Sequence, residues 1–585
     1  MNGLGKILAL ILVLRLALPA GYQKLERTPI CQIQGDGFTA DHLGETVRVR
    51  GIVFADLDQT SQKGIFIQES NCDHRSFTSD GIYIYLGEQA NVAEVGDRVD
   101  VTGVVQEYYG MTEIVTALQA VIVLSSGNPL PLTEELDPPF GDNAADYYFE
   151  DREGMHVRLD HGRVVGPTDG DERSWLVRED LGIKRVLYGD PGGTGEVICA
   201  GDTGLYQITP QVKVGDRVGG LVGALQYRFG TYCLALTAPP QVELAPLSPP
   251  PSPGPTLGLR IATLNLHNLF DTHDDPATED EVLSGPEYDR RLEKRARAIH
   301  EALGEPAILV VQEAENLNVL AALVDRPEIQ ADYRVLLVEG PDERGLDLAL
   351  LYQADRVQVY EAQAPQACTA LVDGLGPDGN GDVLNPQNDL TCDRDGDQVL
   401  DGNRLFSRPP LVAHLRLSLP GPTGDHDLWI IANHLKSKVE DGYTVQYTLP
   451  RRLEQAHFVA GLAQEIINAE PEASLVVLGD LNDYPDSQPL QELTSPGLEN
   501  LALRSPRAQQ YTYNHQGVSQ TLDYILLRAQ LPLAFHKFQA APINADYPDS
   551  WRGNTSSLYR SSDHDPLWVE IVAIFPHVFL PMVAR

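Results

Sequence analysis

The sequence predicts a multidomain chain in which two small all-β barrels precede an α/β unit, a four-layer β-sandwich flanked by helices. Three observations carry that expectation. One phrase occurs twice in the first half, a proline-rich run divides the chain, and beyond it apolar strand segments alternate with helical ones. A chain of 585 residues is also too long for a single core, and its composition, 42% hydrophobic and 22% charged, is that of a globular protein.

Residues 1–20 carry Lys6, an apolar stretch and small residues up to Ala20, with Arg15 keeping the run too short for a bilayer span. They read as a secretory signal peptide cleaved near Ala20, leaving no transmembrane segment. The repeated phrase is Val95-Gly96-Asp97-Arg98-Val99 and Val214-Gly215-Asp216-Arg217-Val218, each followed by an alternating strand and an aromatic-glycine turn into another strand. Earlier in each copy lies a comparable strand, at 46–53 and 155–165. The barrels are therefore placed at residues 24–130 and 145–244. Residues 245–258, APLSPPPSPGPTLG, form an extended, semi-rigid linker, because proline fixes φ and cannot donate a backbone hydrogen bond. The α/β unit fills 259–574, with strands at 259–266, 307–311, 347–351, 428–432, 475–478, 522–527 and 567–571 and helices at 288–303 and 451–468. Residues 575–585 form a tail too short to cross a membrane, suited to an extra strand or a surface-sorting signal. The six cysteines fall in neighbouring pairs, Cys31 with Cys72, Cys199 with Cys233 and Cys368 with Cys392, which makes three local disulfides the economical pattern and agrees with export.

Chemistry gathers where strands end. Val476-Val477-Leu478-Gly479-Asp480-Leu481-Asn482-Asp483 closes an apolar run with a carboxylate and an amide two positions apart, a spacing that puts both on one face of a strand and lets both address one phosphate. Ser562-Asp563-His564-Asp565-Pro566 sets a carboxylate beside an imidazole just before another apolar run. Leu264-Asn265-Leu266-His267-Asn268 and Gln312-Glu313-Ala314-Glu315-Asn316 end two further strands, and Ile431-Ala432-Asn433-His434-Leu435-Lys436-Ser437-Lys438 ends a third. Alone, each admits a capping or core role. Together they are the parts of a metal-assisted phosphodiester hydrolase.

In this order along residues 259–574, the motifs resemble the endonuclease/exonuclease/phosphatase superfamily, the deoxyribonuclease I-like enzymes. With the export signal, disulfides and preceding barrel, the likeness is nearest to secreted bacterial extracellular endonucleases, whose N-terminal barrel is of the oligonucleotide-binding (OB) type. The resemblance implies that Glu313 binds a divalent metal with Asn265 beside it, and that Asp563 partners either the catalytic imidazole or a second metal. Oxygen and amide donors suit a hard ion, Mg²⁺ or Mn²⁺. It implies His564 as general base or water-orienting imidazole, polarised by Asp523, and Asp480 and Asn482 as holders of the attacking water and a phosphate oxygen. His434 would protonate or hydrogen-bond the leaving oxygen. Asn433, Arg408 and Lys436, with Lys438, would contact phosphate, and Asp347 with Arg344 would support the site from behind. Nucleic acid is the implied substrate, DNA and also RNA, at low sequence specificity.

A formal net charge of −39 denies the protein long-range attraction to a polyanion, so phosphate must be met locally. In the first barrel Tyr83, Tyr85, Tyr108 and Tyr109 are either base-stacking or core aromatics. The insertion at 373–403, rich in Asp, Asn and Gly, suits either a structural Ca²⁺ or solvated turns braced by Cys368 and Cys392; the glutamate of a calcium-binding helix-loop-helix is absent from it. Two rival functions follow from the same residues: a phosphodiesterase for a lipid headgroup or small phosphorylated metabolite, and a catalytically silent protein tethered to a cell surface.

Overall fold

Alternating burial along Thr46–Asp56 and Arg98–Tyr108 shows strands with one face turned inward. In the computed structural model, which describes residues 25–573 except 71, 74, 202–209, 251, 372–389, 420–423, 440, 442–445, 531 and 532, these two strands close a five-stranded barrel with Gly64–Gln68, Gly81–Tyr85 and Met111–Ser125. The expected signal peptide, the tail and most of the Asp/Gly-rich insertion lie outside the described residues. Taken in chain order the barrel strands run 1-2-3-5-4, with the third and fifth parallel and the first and fourth antiparallel. Val49, Ile65, Ile84, Val99 and Val101 fill its interior.

The second copy repeats the order. His156–Gly166, Arg173–Arg178, Ile198–Gly201, Arg217–Arg228 and Thr231–Leu236 form a ring with the same 1-2-3-5-4 sequence, and Cys199 faces Cys233 across its parallel pair. The aromatic-glycine turns are two-residue hairpins. Tyr109 and Gly110 in one, and Phe229 and Gly230 in the other, all have positive φ, the geometry that matches the right-handed twist of the flanking strands. All three neighbouring cysteine pairs are disulfides.

The two barrels share a core: Phe54, Phe66, Tyr83 and Met111 of the first pack on Ala224 and Ala235 of the second. Tyr83 is consequently a core residue, its hydroxyl donating to the Gln62 carbonyl at 2.5 Å, and not a stacking platform. Tyr85, Tyr108 and Tyr109 remain exposed.

Beyond the linker two six-stranded sheets lie face to face. One runs Tyr333–Leu337, Asp347–Gln353, Ile308–Ala314, Leu259–Leu269, Leu567–Ala573, Leu533–Ala540; the other runs Val357–Gln363, Leu411–Ser418, Asp425–His434, Leu475–Asp480, Asp523–Arg528, Glu499–Asn500. Leu259, Ile261, Val310 and Leu350 meet Leu415, Ile430, Leu478 and Ile525 between them. Helices Gly285–Arg297 and Leu317–Val324 cover the first sheet, Leu449–Ala469 and Gln488–Thr494 the second, which completes four layers. Side-chain oxygens of Ser284, Asn316 and Ser487 cap three of these helices.

The linker is pinned along its length. Arg260 donates to the Pro253 and Gly254 carbonyls, Tyr559 to that of Ser248 and Lys213 to that of Ala245. Among the described residues no helix is long and apolar enough to cross a membrane.

Candidate active site

The apolar layer between the sheets gives way, at one end of the strands, to polar side chains on the same inward faces. His434 continues the face of Ile430 and Ala432, Asp480 that of Val476 and Leu478, and Asp523 that of Ile525 and Leu527. All three are almost fully buried, as are Asn265 and His564. Five side chains from five separate stretches of sequence thus meet in one place.

His564 Nδ1 lies 2.7 Å from Asp523 Oδ2 and 3.9 Å from Asp480 Oδ2. Burial opposes a charged imidazole, but the Asp523 and Asp480 carboxylates outweigh it and hold the His564 pKa well above the ordinary histidine value. Burial pushes Asp480 up to about 7, with Asp523 and Glu313 adding repulsion against the attraction of His564. Asn265 Nδ2 joins the two acids, 3.0 Å from Glu313 Oε1 and 3.2 Å from Asp480 Oδ2. His434 Nε2 stands 3.8 Å from Glu313 Oε1 and 3.6 Å from Asp480 Oδ2. Burial, then the charges of Arg408, His564 and Arg344, drives its pKa well below the usual range, so this imidazole is neutral and donates or accepts without carrying charge. Its Nδ1 has no hydrogen-bond partner among the described residues.

The backbone around the acids is held in conformations that ordinary side chains avoid. His267, Asn268, Glu313 and Asn482 all have positive φ, between 51° and 61°. Arg295, buried in helix Gly285–Arg297, fixes the first turn by donating to the carbonyls of Leu266 and His267 at 2.7 and 3.0 Å. Asn268 N donates to Glu313 Oε2 at 2.8 Å, tying the two strand ends together. The Asn482 turn is braced by Arg452, which donates to Asp483 at 2.9 Å and Asp441 at 3.0 Å, and by Lys438, which donates to the Asn482 carbonyl at 2.6 Å. Lys294 holds the segment before Asp563 through four carbonyls, those of Trp551, Asn554, Ser557 and Tyr559, at 2.6–3.0 Å.

Several expected placements change. The strand stops at Asp480, and Asn482 beyond it is left-handed, so strand periodicity does not align the two; Asn482 N instead donates to Asp480 Oδ1 at 3.0 Å and its Nδ2 to the Leu435 carbonyl. Asn433 follows the face of Ile431, opposite His434, and its amide donates to the Ile431 carbonyl, so it turns away from the acid cluster. Asp563 bonds to His267 Nδ1 at 2.6 Å. Burial alone would raise its pKa, but His267, His564 and Arg552 bring it well below the carboxylate range. Asp347 accepts from Gly340 N at 2.8 Å and braces the 340–347 loop; burial, with Glu339 next to it, pushes it up to about 8. Arg408 is buried 3.8 Å from Asp342, near enough to His434 for its charge to be felt there. Lys436 is buried, its backbone amide donating to Gln455.

Three neighbours escaped the sequence reading. His267 and Arg552 form a chain with Asp563, Arg552 Nη1 lying 2.7 Å from His267 Nε2, and the ring of Tyr513 sits 4.8 Å from that of His564. His267 stands inside a quoted motif, but its partner lies 296 positions on and no local spacing announces the pair.

The oxygen donors fit a hard divalent cation. Glu313 and the buried Asp480 repel one another across the Asn265 amide, and no lysine or arginine forms an ion pair with either among the described residues. Asp480, Asp523 and His564 also present ligand atoms within 4.8 Å of one another, as do the half-buried Asp393 and the exposed Asp395 and Asp397 in the described end of the insertion.

A model of the endonuclease/exonuclease/phosphatase family matches residues 260–375 and 407–518, and one of a domain of unknown function (DUF8508) matches 131–244. No curated protein matches the chain. Solved structures similar to it include humanized D. rerio TDP2, at 15% identity over 54% of this chain and 99% of that one with a TM-score of 0.34. The human Nocturnin catalytic domain with bound sulfate is 16% identical over 55% and 96%, at a TM-score of 0.33. An endonuclease/exonuclease/phosphatase from Bacteroides vulgatus is 15% identical over 54% and 99%, also at 0.33. The family match stops short of Asp523, Asp563 and His564, yet the fold returns these residues to the ends of the matched strands. With its two sheets, its flanking helices and this match, the C-terminal half of the chain belongs to the endonuclease/exonuclease/phosphatase superfamily, whose members are metal-dependent phosphodiester hydrolases.

Proposed function

We propose that the protein is a secreted, divalent-metal-dependent endonuclease that hydrolyses DNA, and also RNA, at low sequence specificity. The observation that carries the hydrolytic part is the buried pair His564–Asp523 at 2.7 Å beside Asp480, with Asn265 linking Asp480 to Glu313. Nδ1 of His564 donates to Asp523, which fixes the tautomer and leaves Nε2 to take a proton from water. Asp480 steadies that water, and the Asn482 and neutral His434 side chains hydrogen-bond a phosphate oxygen and the leaving oxygen. Glu313, with Asn265 and Asp480 alongside, would hold Mg²⁺ or Mn²⁺, which when bound supplies charge to offset that growing on phosphate. Arg408 and Lys436 provide the local cations that an acidic molecule needs to seat phosphate.

Export is supported by residues 1–20 and by three disulfides in the strand-rich and catalytic regions. The 1-2-3-5-4 strand order supports reading both barrels as OB-like. Polymeric substrate is favoured over a lipid headgroup because, among the described residues, no run of exposed apolar side chains borders the motifs. Purified full-length protein should nick supercoiled plasmid with Mg²⁺, stop in EDTA, and leave sphingomyelin intact. Release of phosphocholine with unbroken plasmid would overturn the choice of substrate, and nicking unaffected by EDTA would overturn the choice of chemistry.

A further inference from the structure

The second barrel does not stand apart from the acid cluster; it grips the two segments that border it. Its short strand Val186–Leu187 adds in parallel to Val518–Gln520, whose hairpin partner Tyr513–His515 carries the tyrosine against His564. The seam is tight. A Cβ on Gly166 would meet Gly517 Cα at 2.6 Å, and Asn514 donates to the Val165 carbonyl at 2.8 Å. Arg185 reaches across with both terminal nitrogens to Asp546, at 2.9 and 2.7 Å, and lies over the Tyr511 ring at 3.7 Å. Such a planar, two-pronged contact fixes orientation as well as distance.

On the other side of the cluster the next residue of the barrel, Tyr188, stacks on Tyr484, ring centroids 3.4 Å apart and planes 12° from parallel. Its amide is held by the Ser519 carbonyl at 3.0 Å, so the same loop engages both segments. Tyr484 ends the turn that starts at Asp480. The Lys438 ammonium lies 4.5 Å from the Tyr484 centroid and donates to the Asn482 carbonyl at 2.6 Å, and Asn482 N donates to Asp480 at 3.0 Å. A continuous series of contacts therefore runs from Tyr188 through Tyr484 and Lys438 to the left-handed Asn482 and to Asp480.

We propose that the second barrel is part of the active site and that Tyr188 is its positioning residue, holding the 480–484 turn and the Lys438 ammonium in place through Tyr484. This rests on the reading of Asp480, Asn482 and His564 as the hydrolytic centre. The left-handed Asn482 is the weak point that needs such support, because a turn in a sparsely populated backbone region persists only where its surroundings over-determine it. A domain docked on that turn supplies the constraint.

The test uses the full-length protein with Mg²⁺, the small diester bis(p-nitrophenyl) phosphate and plasmid, with hydrogen exchange of the peptide covering 478–486. Tyr188→Ala should lower kcat about tenfold on both substrates with KM little changed, since the turn is displaced and not the substrate's contacts. It should also speed exchange in 478–486 but not in the distant strand Thr46–Asp56, and Tyr188→Phe should restore both. Tyr188→Ala added to Tyr484→Ala should cost nothing further. Parental kcat and exchange in Tyr188→Ala, a defect confined to KM on plasmid, or additive losses in the double variant would each overturn the proposal. If the parent hydrolyses neither substrate, the hydrolytic reading fails, and the exchange comparison alone decides whether Tyr188 holds the turn.

Discussion

His564 owes its proton affinity to two carboxylates, and Asp523→Asn removes the nearer charge while keeping a polar side chain of the same shape. The imidazole then releases its proton more readily. The acid limb of the pH dependence of kcat/KM should move to lower pH, while the plateau falls by about 10²–10⁴ as the tautomer is no longer fixed. Asn482 separates stability from chemistry. In Asn482→Gly, relief of the left-handed conformation offsets the greater chain entropy of glycine, so the lost bond to the Leu435 carbonyl dominates and the urea midpoint should report a stability lower by about 1 kcal/mol. The lost amide should cost about a hundredfold in kcat, measured on the same preparation. Of the site, the acids and imidazoles were legible as residue types at strand ends. Of their pairings, that of His564 with Asp523 was implied by the family resemblance and is found at 2.7 Å, whereas Asp563 answers to His267, a contact that strand periodicity does not encode.

Among elements, helix Gly285–Arg297 shows how one amphipathic segment serves the site from behind. Leu292 and Ala296 pack on the sheet, while the neighbouring Lys294 and Arg295, both buried, turn their donors onto carbonyls of the 549–559 and 266–267 segments. Lys294→Ala leaves four buried carbonyls without their common donor. It should lower stability by about 3 kcal/mol, read from urea unfolding, and raise protease sensitivity within 549–559. The helix itself was foreseen at 288–303 from its periodicity; its start at Gly285 follows the Ser284 cap, and its end passes into a wider turn over Ala298–Ala302. Strands whose buried runs carry the site, such as Leu475–Asp480, were legible because they are continuous apolar segments. The edge strand Val357–Gln363 was missed, since its mixed exposure gives no such signal, and Leu411–Ser418 was missed behind the proline pair that precedes it.

For the whole molecule, the contact between barrels is titratable. Glu113 is pushed up to about 7 by burial, against a hydrogen bond from Gln106, and Glu150 to about 7 by burial, against that from Tyr232; Glu153 is raised well above the ordinary glutamate value too, by burial first and Glu150 second. Each of these folded-state values lies above the unfolded one, so the stability they contribute is fully present below the ordinary glutamate range. It declines as pH rises and is lost through about pH 7. The melting temperature of the N-terminal transition should therefore fall between about pH 4.5 and 7, and Glu113→Gln with Glu150→Gln should flatten that slope. The same docking, carried on through Arg185 and Tyr188, makes barrels and catalytic unit one continuous packed body, so unfolding of the second barrel should be felt at the acid cluster.

The sequence by itself determined the layout: two repeated barrels, a proline-rich linker, the alternation that builds two sheets, three local disulfides, and the polar residues that end the strands. Local rules suffice for these, because helix and strand periods, turn chemistry and neighbouring cysteines act over a few tens of residues. Only the tertiary structure decided which face Asn433 takes, that Tyr83 seals an interface, that His267 holds Asp563 and that a residue of the second barrel stacks on Tyr484, at the end of the turn that starts at Asp480. Those outcomes depend on burial and charge shared between segments hundreds of residues apart, and such energies exist only once the layers have closed.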